Sequence, residues 1–183
     1  MALNFTRIEA RLSNVSREFD GQQAQFGVPS GLNYEDGTSV AYVAAIQEFG
    51  APEVGIPPRS YIRPTVRAKQ EYWVRVLKSM IPNVTSGGLT GFDVLDAVGR
   101  AAVADIQTAI AAVYEPELSP VTVLLRKWRK EGRRITGKTV GEAAAAIDAG
   151  EDPGSDNKPL NDTGYLIASI RNAVNRRPEE FKA

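Results

Sequence analysis

Apolar residues recur at helical spacing in several segments of the chain, and glycine or proline ends most of these segments. The spacing predicts helices over residues 4–18, 40–50, 64–81, 92–113 and 120–132. A strand over residues 5–12 also fits the first of these segments. Thr139 and Glu142 stand at capping-box spacing ahead of a short apolar run at 143–147, and residues 165–174 carry a last helical pattern.

The remaining segments have the composition of strands and turns. Residues 23–29 (QAQFGVP) predict a strand, and residues 31–37 (GLNYEDG) predict a turn. Three prolines and two glycines among residues 50–60 exclude a regular element there, and residues 150–161 form an acidic, turn-rich loop. The pattern therefore predicts a mostly helical protein with a small sheet, and a length of 183 residues indicates a single domain.

Composition narrows the chemistry that the chain can carry. It has no Cys and no His, which excludes disulfides, thiolate metal sites, thiol nucleophiles and His-dependent catalytic triads. The N-terminal residues lack a signal-peptide pattern, and no apolar run is long enough to span a bilayer. We expect no membrane partner and no cofactor.

Charge is balanced overall and segregated locally. The chain has 22 basic and 22 acidic residues. Residues 59–79 hold six basic residues and one acidic residue, residues 126–138 hold seven and one, and residues 142–162 hold six acidic residues and one basic residue. Three interpretations remain open: pairing within the chain, contact between the basic strip of one subunit and the acidic loop of the next, and contact with nucleic-acid phosphates. The candidate contact residues in the second strip are Arg126, Lys127, Arg129 and Lys130, which lie away from the apolar side of the helix predicted over 120–132.

Carboxylates are the best remaining candidates for catalysis. Glu48 and Glu53 flank the rigid Gly/Pro loop, but such a pair is more typical of a helix cap and a surface charge. The glycines at 87, 88 and 91 lack the Lys-Ser/Thr of a phosphate-binding loop, and Asp152, Asp156 and Asp162 do not fit a calcium loop. We therefore expect a protein that is not an enzyme and has no metal site.

Residues 43–64 (VAAIQEFGAPEVGIPPRSYIRP) are the most distinctive segment. A helix ends at Gly50, a stiff crossing follows, and Arg59 and Arg63 flank Tyr61 at the start of the next helix. A rigid loop with two arginines and an aromatic residue suits contact with a neighbouring subunit or partner. The alternative is a strut that packs Tyr61 into the core and leaves both arginines exposed.

Three blocks of the sequence resemble tailed-bacteriophage neck and tail-completion proteins, of the morphogenesis families of lambdoid and Mu-like phages. The first block, residues 44–50 (AAIQEFG) with 56–64 (IPPRSYIRP), resembles the family signature EFG … PPRPFLRP. The second block, residues 118–123 (LSPVTV), and the third block, residues 158–170 (KPLNDTGYLIASI), resemble the ending LSPxT … KPLIDTGxLxxSI. The matching positions are Glu48, Phe49, Gly50, Pro57, Pro58, Arg59, Arg63, Pro64, Asp162, Thr163, Gly164 and Ser169. Ser60 and Asn161 depart from the signature, and residues 133–157 look like an insertion or extended segment.

The resemblance implies an α+β fold, with a small curved, mixed or antiparallel sheet packed by several helices in one domain over residues 1–183. The sheet would include residues 23–28 and a strand after Ser169. The implied function is structural: a subunit that forms a ring, commonly of six, around the DNA channel at the neck and joins head to tail. The implied partners are further copies, the connector or adaptor, the tail tube or tail terminator, and the passing DNA. A tail-terminator ring is the alternative within the virion, and a DNA-binding module using residues 59–79 and 126–138 is the alternative outside it.

Overall fold

The structure, a computed structural model, describes residues 5–160 and 162–176 and has an α+β fold. Within these residues lie seven α-helices and two strands: α1 (Phe5–Phe19), β1 (Gln22–Gly27), α2 (Val40–Phe49), α3 (Ile62–Thr85), α4 (Gly91–Ala112), α5 (Pro120–Lys130), α6 (Gly137–Asp148), α7 (Tyr165–Ala168) and β2 (Arg171–Arg176). A one-turn 3₁₀ helix, Pro52–Val54, interrupts the loop that the sequence predicts to be irregular throughout.

The two strands form an antiparallel sheet that packs on α4. The register pairs Gln22 with Arg176 and Gly27 with Arg171. Gly99 lies under the sheet, where an added Cβ would be 2.9 Å from the Cβ of Asn172. A small residue at this position therefore lets the helix and the sheet approach closely.

Helices α3 and α4 form a long antiparallel hairpin that connects the two ends of the molecule. The indole of Trp73 donates to Asp105 at 2.8 Å, and Lys69 pairs with the same carboxylate at 3.0 Å. Thr90 and Asp93 form a capping box at the start of α4. Helix α1 packs on the loop end of this hairpin, and the Cβ of any residue at position 91 would collide with the backbone of Glu18.

Two apolar clusters hold the fold together. The larger joins α2, the start of α3, the end of α4 and the α7 region; its buried members are Val40, Ala44, Tyr61, Ile106, Ile110, Leu160, Leu166 and Ile170. The smaller lies between α5 and α6 and contains Leu124, Trp128 and Ala143. Helix α6 therefore has a small core of its own against α5, within the region 133–157 that the sequence marks as an insertion.

Three further predictions about local structure are wrong. The sequence predicts a helix that ends at Ile81, where Pro82 and the run 85–88 follow, but α3 continues to Thr85. Pro82 is exposed, so the backbone hydrogen bond that it removes lies on the solvent side of the helix. Val84, two residues later, is buried, and its packing favours continuation of the helix.

The capping box of α6 is formed by Thr136 and Thr139, three residues earlier than Thr139 and Glu142. Glu142 instead pairs with Arg133 and with Lys138. The helix predicted over residues 165–174 is also wrong, because α7 ends at Ala168 and β2 follows. Pairing with β1 decides this segment, and the strand after Ser169 that the resemblance implies is confirmed.

Candidate functional site

The carboxylate of Glu48, at the end of α2, caps the first turn of α3. Its Oε2 accepts the backbone N–H groups of Tyr61 and Ile62 at 2.8 and 2.9 Å. Its Oε1 accepts the backbone N–H and the Nε of Arg63 at 3.1 and 2.9 Å. The first N–H groups of a helix have no intrahelical acceptor and carry partial positive charge, so a carboxylate here stabilises α3.

The same contacts determine the protonation of Glu48. Burial raises its pKa, but the donors at Ile62, Arg63 and Tyr61 lower it by more, so the pKa lies below its ordinary value of 4.5. A general acid or base needs a pKa near the working pH. Glu48 is therefore an ionised anchor at neutral pH, which favours the interpretation as a cap over that as a catalytic carboxylate.

The turn after Glu48 explains the next two positions of the signature. Gly50 has φ +79°, and an added Cβ would be 2.9 Å from the nitrogen of Pro58, so only glycine fits without strain. The guanidinium of Arg63 stacks on the ring of Phe49 at 4.6 Å and donates to the carbonyl of Glu48 at 2.8 Å. Gly50 and Pro58 thus turn the chain so that Arg63 comes back over the end of α2.

Arg59 ties this loop to the segment before α5. It is buried, and it donates to the carbonyls of Pro116 and Glu117 at 2.6 and 2.8 Å. Its third donor reaches Gln47 Oε1 at 3.4 Å. Burial and the nearby charge of Arg126 lower its pKa. No carboxylate within residues 5–160 and 162–176 lies within ion-pair distance of it, so Arg59 satisfies neutral acceptors of its own chain.

Tyr61, between the two arginines, belongs to the larger apolar cluster. Its side chain is buried, and its hydroxyl has no hydrogen-bond partner among the described residues. Burial raises the pKa of this phenol, and the charge of Glu48 adds to the effect. The strut interpretation correctly places Tyr61 in the core. It is wrong for Arg59, because it predicts an exposed arginine and Arg59 is buried.

Arg126 makes the corresponding tie between α5 and the third block. It is buried, although the sequence assigns it to the side of the helix away from the apolar face. Its Nη1 donates to the carbonyl of Lys158 at 2.8 Å, and its Nε lies 3.8 Å from Asp162. The backbone N–H of Leu118 also donates to the carbonyl of Asn157 at 3.3 Å. Backbone carbonyls stabilise this buried cation, and the sequence pattern does not reveal them.

The remaining residues of the third block form both ends of α7. Thr163 Oγ1 accepts the N–H of Tyr165 at 3.3 Å, and Gly164 stands just before the helix. Ser169 is buried and donates to the carbonyl of Tyr165 at 2.7 Å. These positions shape the turn that directs the chain into β2.

The three blocks are therefore one interlocked unit, which we call the motif clamp: Glu48, Gly50, Arg59, Arg63 and Arg126 with the carbonyl and carboxylate groups that they bind. Arg59 connects the first block to residues 116–117, directly before the second block, and Arg126, just after the second block, connects α5 to residues 156–162. The sequence identifies the arginines but not Gln47 or the carbonyl acceptors. Backbone acceptors carry no residue signature, so no pattern reveals them.

Most of the segregated charge is paired inside the chain. Arg129 binds Asp162, Lys130 binds Asp156, Arg133 binds Glu142, and Arg63 binds Glu48. The structure thus uses the second basic strip and the acidic loop as partners of one another within one subunit. Lys127, Arg129, Lys130 and Arg63 are exposed members of the predicted contact set, whereas Arg59, Tyr61 and Arg126 are buried.

Three basic side chains of the first strip have no ion pair among the described residues, and we call them the α3 basic face: Arg67, Arg75 and Lys78. Arg75 and Lys78 follow Arg67 by 8 and 11 residues, on the side of α3 opposite the buried Trp73. Glu71 is the acidic residue of the same face.

The other candidate features carry no site. Glu53 is exposed on the 3₁₀ turn, as a surface charge would be. In the part of the chain that the structure describes, no group of His, Cys, Asp or Glu side chains could hold a metal ion. No helix of residues 5–160 or 162–176 is both long and apolar enough to cross a bilayer.

Comparison of the chain with protein-family models, with curated proteins and with solved structures found no match.

Proposed function

We propose that this protein is a structural virion protein of a tailed phage: a neck or tail-completion subunit that forms a ring, of six copies, around the DNA channel and joins the head to the tail. Its partners would be further copies of itself, the adjacent connector or adaptor, and the tail tube or tail terminator. It would assemble in the host cytoplasm and end in the virion, with genomic DNA passing through without sequence-specific contact.

The observation that carries the proposal is the motif clamp. The positions on which the resemblance rests are separated by up to about 120 residues in the sequence, from Glu48 to Ser169. Arg59 of the first block donates to the carbonyls of residues 116 and 117, directly before the second block. Arg126, just after the second block, donates to the carbonyl of Lys158 in the third block. Unrelated short matches have no reason to lie in adjacent segments of one fold.

The tail-terminator ring is an alternative in the same part of the virion, and the clamp supports it equally. The DNA-binding module has less support, because ion pairs within the chain neutralise most of the second strip. The α3 basic face is the surface left for that function, and three cations on one helix provide few phosphate contacts.

The direct test is inactivation of the gene in a phage that carries it, with a wild-type copy supplied from a plasmid as the control. We expect filled heads and finished tails that stay separate in negative-stain micrographs, and joined particles when the copy is supplied. Normal joined particles without the protein would refute the proposal. Joined particles with tails of abnormal length would favour the tail-terminator alternative.

A further inference from the structure

The N-terminal half of α1 presents apolar side chains that the described part of the fold does not cover. Ile8, Leu12, Val15 and Phe19 share one face of the helix. Val15 and Phe19 are half-buried where α1 packs on α3 and α4, whereas Ile8 is 41% and Leu12 is 65% exposed. We call Ile8 and Leu12 the α1 stripe. The described residues thus cover only the second half of this apolar face.

A second uncovered apolar surface lies on α2 and the loop after it. Tyr42 and Phe49 are two turns apart on the same face of α2, and each is 63% exposed. Val54 on the following 3₁₀ turn is 71% exposed. We call Tyr42, Phe49 and Val54 the α2 stripe. Exposed aromatic side chains are typical of interface centres.

The two stripes lie at opposite ends of the molecule. Arg11 of α1 borders the same groove as Ile81 and Pro82, at the end of α3. Helix α2 is fixed through Glu48 to residues 61–63, at the beginning of α3. Helix α3 has 24 residues, so at ~1.5 Å per residue its two ends are about 36 Å apart. A subunit with matching surfaces at opposite ends can join head to tail, whereas a twofold dimer needs one self-complementary surface.

The charges beside the two stripes are complementary. Arg11 is exposed beside the α1 stripe, and Lys78 lies one turn before Pro82 on the adjacent side of α3. Near the α2 stripe in the sequence, Glu53 adjoins Val54, and Glu35 and Asp36 precede α2; all three are exposed.

Each stripe also has one residue of the opposite charge at its edge. Glu9 lies on the other edge of the α1 stripe, and the half-exposed Arg63 stacks on Phe49 of the α2 stripe. Each surface therefore offers to the other an apolar centre and opposite charges at its edges.

We propose that the α1 stripe of one copy docks on the α2 stripe of the next, as the repeating head-to-tail contact between subunits. The partner is a second copy of this chain. The contact specifies how subunits of the proposed ring would join. Closure of the subunits into a ring rests on the proposed function, whereas the contact itself follows from the two stripes.

Site-directed cross-linking tests the contact directly, because the chain has no native Cys. The variant carries Leu12→Cys and Tyr42→Cys and is treated with a short bismaleimide over a range of protein concentrations. We expect a ladder of covalent multimers, since each subunit would link at both ends. The two positions are too far apart for a link within one chain, given the helix length above.

Matched controls separate this contact from other modes of association. Leu12→Cys alone should give no cross-link, and Leu12→Cys with Ala145→Cys, an exposed position on α6, should give no ladder. Covalent dimers from Leu12→Cys alone would indicate a twofold contact between α1 helices and would overturn the proposal. Absence of a ladder from the Leu12→Cys/Tyr42→Cys variant at every concentration would also overturn it.

A charge variant gives a second, independent measurement by light scattering. Leu12→Glu should raise the dissociation constant of the contact about tenfold or more, because a leucine buried in an interface contributes at least a decade of affinity. Val140→Glu, at another exposed apolar position, on α6, should leave the dissociation constant unchanged. An unaltered multimer fraction in Leu12→Glu would overturn the contact. The gene-inactivation experiment tests the proposed function separately. If heads and tails fail to join without the gene, the proposed function holds even when the cross-linking refutes this contact.

Discussion

Replacing Glu48 by glutamine tests the helix cap at the centre of the motif clamp. The substitution keeps the size of the side chain and removes its charge. Each carboxylate oxygen of Glu48 accepts two hydrogen bonds in the native protein. In either orientation of its amide, the new glutamine side chain would place an NH₂ group against two of these donors.

The magnitude follows from these contacts. Glu48 is 3% exposed, so water cannot replace the lost acceptor. A hydrogen bond to a buried charged group contributes about 1.5–3 kcal/mol, and Glu48→Gln disrupts two of the four. Arg63 is half-exposed, so its ion pair with Glu48 adds little to this loss. We expect Glu48→Gln to lower the free energy of unfolding by about 3 kcal/mol.

Urea unfolding followed by circular dichroism at pH 7 measures this effect. Glu53→Gln is the matched control, since Glu53 is exposed five residues away and should change the unfolding free energy by less than about 0.5 kcal/mol. A loss of less than ~1 kcal/mol in Glu48→Gln, at an unchanged denaturant slope, would refute the cap as a stabilising contact.

The pH dependence provides a second readout of the same carboxylate. Folding lowers the pKa of Glu48, so its contribution is fully present above its unfolded value of 4.5 and is lost as pH falls through the folded pKa. The stability difference between wild type and Glu48→Gln should therefore shrink below pH 4.5. A difference that stays constant down to acid unfolding would contradict the assignment.

Four further predictions follow from the clamp and from the unpaired charges. Gly50→Ala should lower stability by about 2–4 kcal/mol through positive φ and a blocked Cβ, and Gly55→Ala, at positive φ in open space, should lower it by only ~1 kcal/mol; urea unfolding compares the two. Arg126→Gln should speed amide exchange in residues 156–162 measured by mass spectrometry, whereas the exposed control Arg134→Gln should not. Tyr61→Phe should leave the melting temperature unchanged or higher, because it removes a buried hydroxyl that has no partner among the described residues, and a clear decrease would reveal one. Binding of duplex DNA, measured by fluorescence anisotropy, should weaken about 40-fold between ~50 and ~200 mM salt if only the three cations of the α3 basic face contact phosphate, and a steeper loss would mean that the paired strips also bind.

The elements of the fold follow from the sequence where periodicity is long and the helix ends are marked. Helix α4 shows a sustained apolar stripe from Leu95 to Ile110, and Ser119-Pro120 marks the start of α5. Short segments do not carry this information. The pattern after Gly164 is too short to separate a helix from a strand, and pairing with β1 determines it.

The site is predictable in its residue types but not in its contacts. Arg59, Arg63 and Glu48 stand out in the sequence because a Gly/Pro-rich loop holds them near helix ends. Their partners are backbone groups many residues away, so their burial depends on the packed structure. The assignment of Arg126 to an exposed side fails for the same reason, because carbonyls from residues 156–158 stabilise a cation at a position where a pattern of apolar residues predicts none.

Locating the protein in purified virions tests the central claim most directly. Antibody raised against the full chain, coupled to gold and imaged by negative-stain electron microscopy, shows where the protein resides in the particle. We expect label confined to the junction between head and tail. Label along the tail, on the head surface or absent from intact and disrupted particles would contradict it.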